Sequence, residues 1–331
     1  MLITLDKTIF DLCGVLEPYF SVQYLDSSDI SKESLKDSVA LVIRSTRKYG
    51  AETLDGTGVK FIGTVTSGFE HIDTEFCEGS GIFWATAHSS NAESVAEYVS
   101  AALIEISKKM DKPLSEFSLG IVGVGAVGGC VKRDAEKFGM KLLLCDPPKN
   151  LNDNIFEADI ITLHMPLEKR GKYPTEHLAN GDFFKKMKKG TWLINTARGR
   201  VCDSEALRNA LQSKHLGGAV VDVWESEPDI DISLLPLIEI ATPHIAGHNI
   251  EAKINANKMI VNALGNFFGI DDLKNWGKSQ IAGDELADGD LIYPIRTDDA
   301  NFRKNPGDFA KIRNGYRRRN YYITNYERKR I

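Results

Sequence analysis

The chain has 331 residues, of which 42% are hydrophobic and 26% charged, as expected for a globular protein of two or three domains. Its formal net charge of -5 gives no general attraction to nucleic acid or to an anionic membrane, so neither partner is expected. The sequence shows no signal peptide, no apolar run that could cross a bilayer and no CxxC pair among its five cysteines, which together predict a cytoplasmic protein.

The first ninety residues alternate short apolar runs with polar stretches that could form helices. Five of the runs predict strands, at residues 2–4, 22–25, 40–44, 60–63 and 82–85. This rhythm predicts a small α/β domain. A helical spacing of apolar residues then covers 92–109, and Asn91 before it is a favourable N-cap.

A second series of apolar runs begins at Ser118 and predicts six more strands. They cover residues 119–124, 141–146, 159–165, 191–196, 218–223 and 238–242. The runs are almost continuously apolar, which is typical of parallel strands buried on both faces, and helical patterns separate most of them. We therefore predict a doubly wound parallel sheet of the α/β class.

The composition changes in the C-terminal part of the chain. A helical pattern covers residues 250–268, and from about 270 onward Gly, Asp and Asn become frequent. Arg and Lys then accumulate between Lys311 and Arg330, where we expect a solvated surface. We interpret this part of the chain as a separate appendage.

A glycine-rich turn follows the first strand of the second series. Gly123, Gly125 and Gly128 form the pattern G-x-G-x-x-G between a predicted strand and a helical pattern, which is the context of a dinucleotide-binding loop. The free amides and partial positive charge at the start of the helix can hold a pyrophosphate. Asp146 ends the next strand, where its carboxylate would accept hydrogen bonds from the adenosine ribose and repel a 2′-phosphate. The turn therefore predicts NAD as the cofactor, in preference to NADP.

Three side chains near strand ends predict oxidation of a hydroxyl group beside a carboxylate. Arg198 follows a strand, and its guanidinium can bind a carboxylate through two parallel hydrogen bonds. His244 follows another strand and can take a proton from a hydroxyl while hydride leaves. Glu227 can orient that imidazole and stabilise its charged form, although Glu225 is an alternative for this role.

These motifs resemble the fingerprint of the D-2-hydroxyacid dehydrogenase family. GVGAVG with Asp146, NTARGR, DVWESEP and TPHIAG correspond to its sequence blocks over about residues 120–250, and GFEHID at 68–73 resembles its substrate-domain loop. The resemblance implies an NAD-dependent dehydrogenase in which Arg198, Glu227 and His244 are catalytic. It also implies a Rossmann-type doubly wound domain inserted in a smaller, flavodoxin-like α/β substrate domain.

Further segments resemble the branch of this family that acts on 4-phospho-D-erythronate. They are VIRS at 42–45, GTVT at 63–66, SNA at 90–92, LLCDPP at 143–148 and LIYPIRTDDA at 291–300. This resemblance implies oxidation at C2 by NAD to 3-hydroxy-2-oxo-4-phosphobutanoate, a step of pyridoxal 5′-phosphate synthesis. It further implies a small C-terminal α+β dimerisation domain and a homodimer. His248 stands where the branch usually carries a tyrosine that contacts the substrate.

The resemblance and the strand-end positions together give the expected domains and contacts. The substrate domain covers residues 1–91 and 247–275, the NAD-binding domain 92–246 and the dimerisation domain 276–331. The expected cofactor contacts are Gly123, Gly125, Val127, Gly128, Asp146, Met165, Thr196, Asp222 and Gly247. The expected substrate contacts, which include donors to a phosphate, are Arg44, Ser45, Thr66, Ser67, Gly68 and His248. No metal ion is expected.

Two other readings are compatible with the sequence. A 3-phosphoglycerate dehydrogenase or a generic 2-ketoacid reductase would share the fingerprint, although the former normally lacks a tail like that at 291–322. An NAD(H)-sensing corepressor could also retain the set of Arg198, Glu227 and His244. Such a binding protein would take up NADH but show little turnover of any small hydroxyacid.

Overall fold

The computed structural model describes residues 1–277 and 293–316, which divide into two compact units. Residues 1–91 and 251–277 form the five-stranded unit, and residues 92–250 and 293–316 form the six-stranded unit. The prediction of two principal α/β units, one of them discontinuous in sequence, agrees with this division. The expected domain boundaries themselves stay predictions.

The described strands and helices alternate along most of the chain. The strands are β1 (Leu2–Asp6), β2 (Ser21–Leu25), β3 (Ser38–Ile43), β4 (Phe61–Thr64), β5 (Phe83–Thr86), β6 (Ser118–Val122), β7 (Lys141–Cys145), β8 (Ile160–Leu163), β9 (Trp192–Asn195), β10 (Gly218–Val221) and β11 (Ile240–Ala241). The α-helices are α1 (Ala51–Leu54), α2 (Thr74–Gly79), α3 (Ala92–Met110), α4 (Ala126–Lys137), α5 (Gly181–Lys186), α6 (Ser204–Gln212), α7 (Ile250–Phe268), α8 (Asp271–Lys274), α9 (Ile295–Lys304) and α10 (Phe309–Asn314). Short 3-10 helices cover Phe10–Leu12, Leu114–Glu116, Asp153–Glu157, Gly199–Val201, Ile232–Leu237 and Pro306–Asp308.

The five-stranded unit contains a parallel sheet in the order β2-β1-β3-β4-β5. This is the flavodoxin-like order, as expected for the smaller domain. Helix α7 packs on the sheet through Ile260 and Leu264, which share an apolar core with Phe61. The approach is close at Gly63, where a Cβ atom would lie 2.9 Å from the Cγ2 atom of Ile260. Most of α7 therefore belongs to this unit.

The six-stranded unit contains a parallel sheet in the order β11-β10-β9-β8-β6-β7. All six predicted strands are confirmed. The chain passes from β6 to β7 on one side and then crosses to β8 on the other, so a crevice opens where the carboxyl ends of β6 and β8 diverge. Helices α3 and α4 share an apolar core with the buried strands β6 and β9. This topology confirms the predicted Rossmann-type fold.

Helices α9 and α10 pack within the six-stranded unit. The Asp299 carboxylate accepts a hydrogen bond of 2.8 Å from the backbone N–H of Ala241 in β11. The guanidinium of Arg303 donates to the carbonyl oxygens of Leu235 and Ile238 at 2.8 and 2.7 Å. The sequence predicted a separate C-terminal domain over residues 276–331. In the structure, residues 293–316 of this range pack within the six-stranded unit. Residues 278–292 and 317–331 lie outside the described part, and a role in dimerisation stays a prediction.

Within residues 1–277 and 293–316, no helix combines the length and the apolar character that a membrane span requires.

Candidate active site

The glycine-rich turn joins β6 to α4 at the crevice of the six-stranded sheet. Gly123 has a φ of +87°, and a Cβ atom there would lie 2.8 Å from the backbone carbonyl carbon of His164. A Cβ atom on Gly128 would overlap the carbonyl oxygen of Gly123, so the helix can approach the turn only with glycine at this position. At Gly125, in contrast, nothing lies within 4 Å of the Cβ position. The turn therefore leaves open space at the start of α4, where backbone amides can bind the phosphates of a dinucleotide.

Asp146 lies directly after β7 and beside the glycine-rich turn. Its Oδ1 atom accepts a hydrogen bond of 3.0 Å from the backbone N–H of Val124. Its backbone exchanges two hydrogen bonds with Asn150, of 2.7 and 2.9 Å, which fix the residue against the following turn. The side chain is partly exposed. The carboxylate thus lies next to the glycine-rich turn, with its Oδ2 atom 3.8 Å from the Nζ atom of Lys149, an exposed side chain, and its position suits the expected ribose contact.

The other expected cofactor residues follow the carboxyl ends of neighbouring parallel strands. Met165 follows β8, Thr196 follows β9 and Asp222 follows β10, while Gly247 comes after the segment that leaves β11. Val127 lies in the first turn of α4 and is partly buried. Because carboxyl ends of parallel strands meet at one edge, the sheet brings these positions together beside the glycine-rich turn.

His164 is a residue of this edge that the sequence prediction missed. Its Nε2 atom lies 2.9 Å from the Thr162 hydroxyl and its Nδ1 atom 3.3 Å from the Thr196 hydroxyl. Burial lowers the pKa of His164 to about 3, so the ring is neutral at physiological pH. A histidine at a strand end beside the switch point was the signal available in the sequence. The neutral ring can position Thr196 and the wall of the crevice.

Arg198 is held in the turn after β9 by close packing of two loops. Its Nη1 atom donates a hydrogen bond of 2.9 Å to the carbonyl oxygen of Ala197. A Cβ atom on Gly199 would overlap the carbonyl oxygen of Trp224, so the glycine allows the Arg198 turn to lie directly on the turn after β10. Arg198 is half-buried, and a guanidinium carries five N–H donors of the kind that bind an anion.

His244 and Glu227 form an imidazole–carboxylate pair. The Nδ1 atom of His244 lies 2.7 Å from the Oε2 atom of Glu227, whose Oε1 atom accepts a hydrogen bond of 2.7 Å from the Trp224 N–H. Burial alone would raise the pKa of Glu227, but His244 and these hydrogen bonds outweigh it, and the pKa lies below its usual value. The carboxylate is therefore ionised and holds the imidazole with Nε2 directed away from it.

Glu225, the alternative acid, contacts a different histidine. One of its oxygen atoms lies 2.6 Å from the Nε2 atom of His177, and the other accepts a hydrogen bond of 3.0 Å from the Ser204 N–H at the start of α6. The geometry thus gives Glu225 a structural position and leaves Glu227 as the partner of His244.

The Asp222 carboxylate fastens the segment that carries His244. It is only 1% exposed, and it accepts hydrogen bonds from the Thr242 hydroxyl at 2.6 Å and from the N–H groups of Ile245 and Ala246 at 2.8 and 3.0 Å. Its carbonyl oxygen accepts the His244 N–H at 2.7 Å. Burial raises the pKa of Asp222, and the three donors oppose this effect. These contacts make Asp222 a positioning residue; its expected contact with the nicotinamide stays a prediction.

The expected substrate residues of the five-stranded unit lie after β3 and β4, which are adjacent in the sheet. Arg44 follows β3, and its Nη1 atom is 3.4 Å from the Thr8 hydroxyl. The Thr66 hydroxyl donates to the carbonyl oxygen of Gly68 at 2.9 Å. The Ser67 hydroxyl oxygen accepts the Ser89 N–H at 3.1 Å.

Two further residues complete the expected substrate set. Ser45 comes directly after Arg44 and is exposed. His248 lies in the six-stranded unit, where its N–H donates to the carbonyl oxygen of Ile245 at 2.9 Å. The predicted contacts are thus distributed over both units, and each remains a prediction.

Comparison with known proteins gives consistent results. Residues 84–246 match the family described as "D-isomer specific 2-hydroxyacid dehydrogenase, NAD binding domain". Erythronate-4-phosphate dehydrogenase of Bacteroides fragilis is 40% identical over 313 residues, which is 89% of each chain. The Bacteroides thetaiotaomicron enzyme of the same name is 42% identical over 74% of this chain and 73% of its own.

A solved structure has the same fold. NAD-bound 3-phosphoglycerate dehydrogenase of Entamoeba histolytica superimposes with a TM-score of 0.68 at 26% identity, over 83% of this chain and 97% of the other. The sequence identity to the Bacteroides fragilis enzyme, 40%, is thus higher than the 26% identity to this solved structure.

Proposed function

Because this chain belongs to the D-isomer specific 2-hydroxyacid dehydrogenases, and within them to the erythronate-4-phosphate dehydrogenases, we propose that it oxidises 4-phospho-D-erythronate at C2. The product is (R)-3-hydroxy-2-oxo-4-phosphobutanoate, and the step belongs to pyridoxal 5′-phosphate synthesis. The chain is an NAD-dependent dehydrogenase, and the alternative activities are not favoured by its relatives. The observation that carries the proposed reaction is the pair of His244 and Glu227, 2.7 Å apart, at the strand edge that also bears Arg198. The similarity to the erythronate-4-phosphate dehydrogenases supports the choice of substrate.

The reaction separates a hydride from a proton, and the chain's own residues handle the proton. Arg198 binds the substrate carboxylate and so fixes C2. His244 takes the proton of the C2 hydroxyl at Nε2, because its Nδ1 atom is occupied by Glu227 at 2.7 Å. The ionised Glu227 stabilises the imidazolium that results. NAD held at the glycine-rich turn would supply the acceptor for the hydride that leaves C2.

The residues proposed for the cofactor form a consistent set. The glycine-rich turn and the start of α4 would hold the pyrophosphate, and the Asp146 carboxylate would accept hydrogen bonds from the hydroxyls of the adenosine ribose. The open space at Gly125 supports this assignment, since nothing lies within 4 Å of its Cβ position. Val127, Met165, Thr196, Asp222 and Gly247 complete the proposed contacts.

The substrate phosphate requires additional donors. We assign this role to Arg44, Ser45 and Thr66. The backbone amides at Ser67 and Gly68 are assigned to the substrate carboxylate, and His248 replaces the usual tyrosine of the branch. The homodimer and the cytoplasmic location expected from the sequence belong to the same proposal.

Growth of a bacterial strain that lacks this dehydrogenase step and requires pyridoxine tests the proposed function. The wild-type chain should restore growth without pyridoxine, whereas His244→Ala, expressed at the same level, should not. Failure of the wild-type chain to restore growth, although the purified protein binds NADH, would favour another hydroxyacid or a sensor function.

A further inference from the structure

Helix α10 is anchored to the turn that carries Glu227. Phe309 at its start is buried, and its ring lies 5.9 Å from that of Phe302 in α9. The ring of Phe302 lies in turn 6.0 Å from that of Trp224. Since the backbone N–H of Trp224 holds the Glu227 carboxylate, this aromatic series fixes α10 relative to the catalytic pair.

A second contact anchors the chain just after α10. The ring of Tyr316 lies 6.3 Å from the ring of His248, four residues after His244. The Tyr316 hydroxyl donates a hydrogen bond of 2.7 Å to the Asp298 carboxylate, which holds the tyrosine in place. Both ends of the segment 309–316 are therefore tied to the chain around the proposed catalytic residues.

Arg313 lies between these two anchors and differs from the other arginines of residues 293–316. Arg296 contacts the carboxylates of Glu105 and Glu239 at 2.9 and 2.8 Å, and Arg303 contacts Asp299 at 2.7 Å. The Nε atom of Arg313 is buried and donates to no acceptor among the described residues. An unpaired buried donor is unfavourable, and such groups are normally satisfied by a partner.

Glu227 does not satisfy Arg313, although it is near enough to be affected. The charge of Arg313 is among the influences that lower the pKa of Glu227, after burial and the contacts with His244 and Trp224. Both carboxylate oxygen atoms of Glu227 already accept hydrogen bonds from those two residues. Arg313 thus lies near enough to influence the catalytic carboxylate, while its buried Nε atom has no acceptor among the described residues.

We propose that Arg313 binds the phosphate group of the substrate. The inference rests on the proposed function, because it assigns a second anion of the same substrate while Arg198 holds the carboxylate. A phosphate dianion offers several acceptor oxygen atoms, and a guanidinium can bind two of them in parallel. Helix α10 of the C-terminal segment thereby contributes a specificity-determining cation, in addition to the donors assigned above.

The decisive comparison uses a phosphorylated and an unphosphorylated substrate. Arg313→Gln should lower kcat/KM for 4-phospho-D-erythronate roughly 10- to 100-fold, mainly through KM, since a charge-assisted hydrogen-bonded contact is lost. Its kcat/KM for D-erythronate should fall by a much smaller factor, because that substrate carries no phosphate. Lys311→Gln is the matched control, because it removes a cation of the same helix whose side chain is 84% exposed. It should leave kcat/KM unchanged for both substrates.

Three results would overturn the proposal. The first is an unchanged kcat/KM of Arg313→Gln for 4-phospho-D-erythronate, and the second is an equal fall in kcat/KM for both substrates. The third is a fall in kcat/KM of Lys311→Gln as large as that of Arg313→Gln. An equal loss would show that Arg313 acts only through Glu227 and His244. If Arg313→Gln does not fold, Arg313→Lys serves instead: it keeps the charge but not the fork, and it should lose several-fold in kcat/KM for the phosphorylated substrate alone.

A binding measurement separates this proposal from the proposed function. Inorganic phosphate should raise the thermal midpoint of the wild type and of Lys311→Gln, but not that of Arg313→Gln. If the wild type does not oxidise phosphoerythronate yet shows this pattern, the substrate assignment is wrong and the anion site stands. Equal stabilisation of all three proteins, or of none, would contradict a phosphate site at Arg313.

Discussion

The His244 imidazole and the Glu227 carboxylate meet at 2.7 Å, while the similar acid two residues earlier, Glu225, contacts His177 at 2.6 Å. One short turn thus supplies two carboxylates to two histidines. This arrangement provides a matched pair of substitutions, since only the first carboxylate has a proposed role in proton transfer.

Glu227→Gln should lower kcat by about 10²-fold or more, because the amide cannot stabilise the imidazolium and can select the wrong tautomer of His244. Glu225→Gln should leave kcat near the wild-type value. Steady-state NADH formation measures both variants, with NADH binding as the check that each is folded. Equal losses in the two variants would show that the pair at His244 has no special role.

Asp146→Ala should weaken NAD binding and reduce the discrimination against NADP, because the carboxylate that favours the ribose hydroxyls and repels a 2′-phosphate is removed. The ratio of kcat/KM with NAD to that with NADP is the quantity to measure. The variant also removes the hydrogen bond from Val124, so a thermal midpoint should accompany the kinetics. An unchanged cofactor ratio would reject the ribose assignment.

Asp299→Ala should destabilise the protein by about 2–4 kcal/mol, because it leaves the Ala241 N–H and the Arg303 guanidinium without their carboxylate partner. Urea unfolding measures the effect. Lys304→Ala, an exposed change in the same helix α9, is the control and should be nearly neutral. A neutral Asp299→Ala would mean that the C-terminal segment adds little to the stability of the six-stranded unit.

The buried His71 should lower the free energy of unfolding below pH 6.5. Burial lowers its pKa from 6.5 to about 4, so below pH 6.5 the unfolded chain binds a proton that the folded chain excludes. Above pH 6.5 this group does not affect the free energy of unfolding. As the pH falls from 6.5 towards 4, the free energy of unfolding decreases by roughly 1.4 kcal/mol per pH unit. Urea unfolding of wild type and His71→Gln at pH 7 and pH 5 tests this. Identical pH dependences in the two proteins would contradict it.

The fold could be predicted from the sequence because its strands carry strong local signals. Both sheets consist of parallel, largely buried strands, and all eleven described strands fall on predicted apolar runs. The glycine-rich turn was equally clear, since Gly123 and Gly128 meet steric requirements that only glycine satisfies.

The finer features of the site depend on tertiary packing, which local patterns do not contain. Glu225 and Glu227 are equivalent in sequence, and only the path of the turn after β10 distinguishes them. His164 required knowledge of which strand borders the crevice. Arg313 could not be identified, because its position depends on the packing of Phe309, Phe302 and Trp224 between distant segments.

Oxidation of 4-phospho-D-erythronate with NAD is the activity that we propose for this chain. The most direct test compares kcat/KM for 4-phospho-D-erythronate, 3-phospho-D-glycerate and D-lactate by NADH absorbance, with an agent present that removes the oxo product. We expect selective turnover of 4-phospho-D-erythronate. Selective turnover of another acid would keep the mechanism and contradict the substrate, and silence on all three with NADH still bound would contradict the claim that these are its substrates.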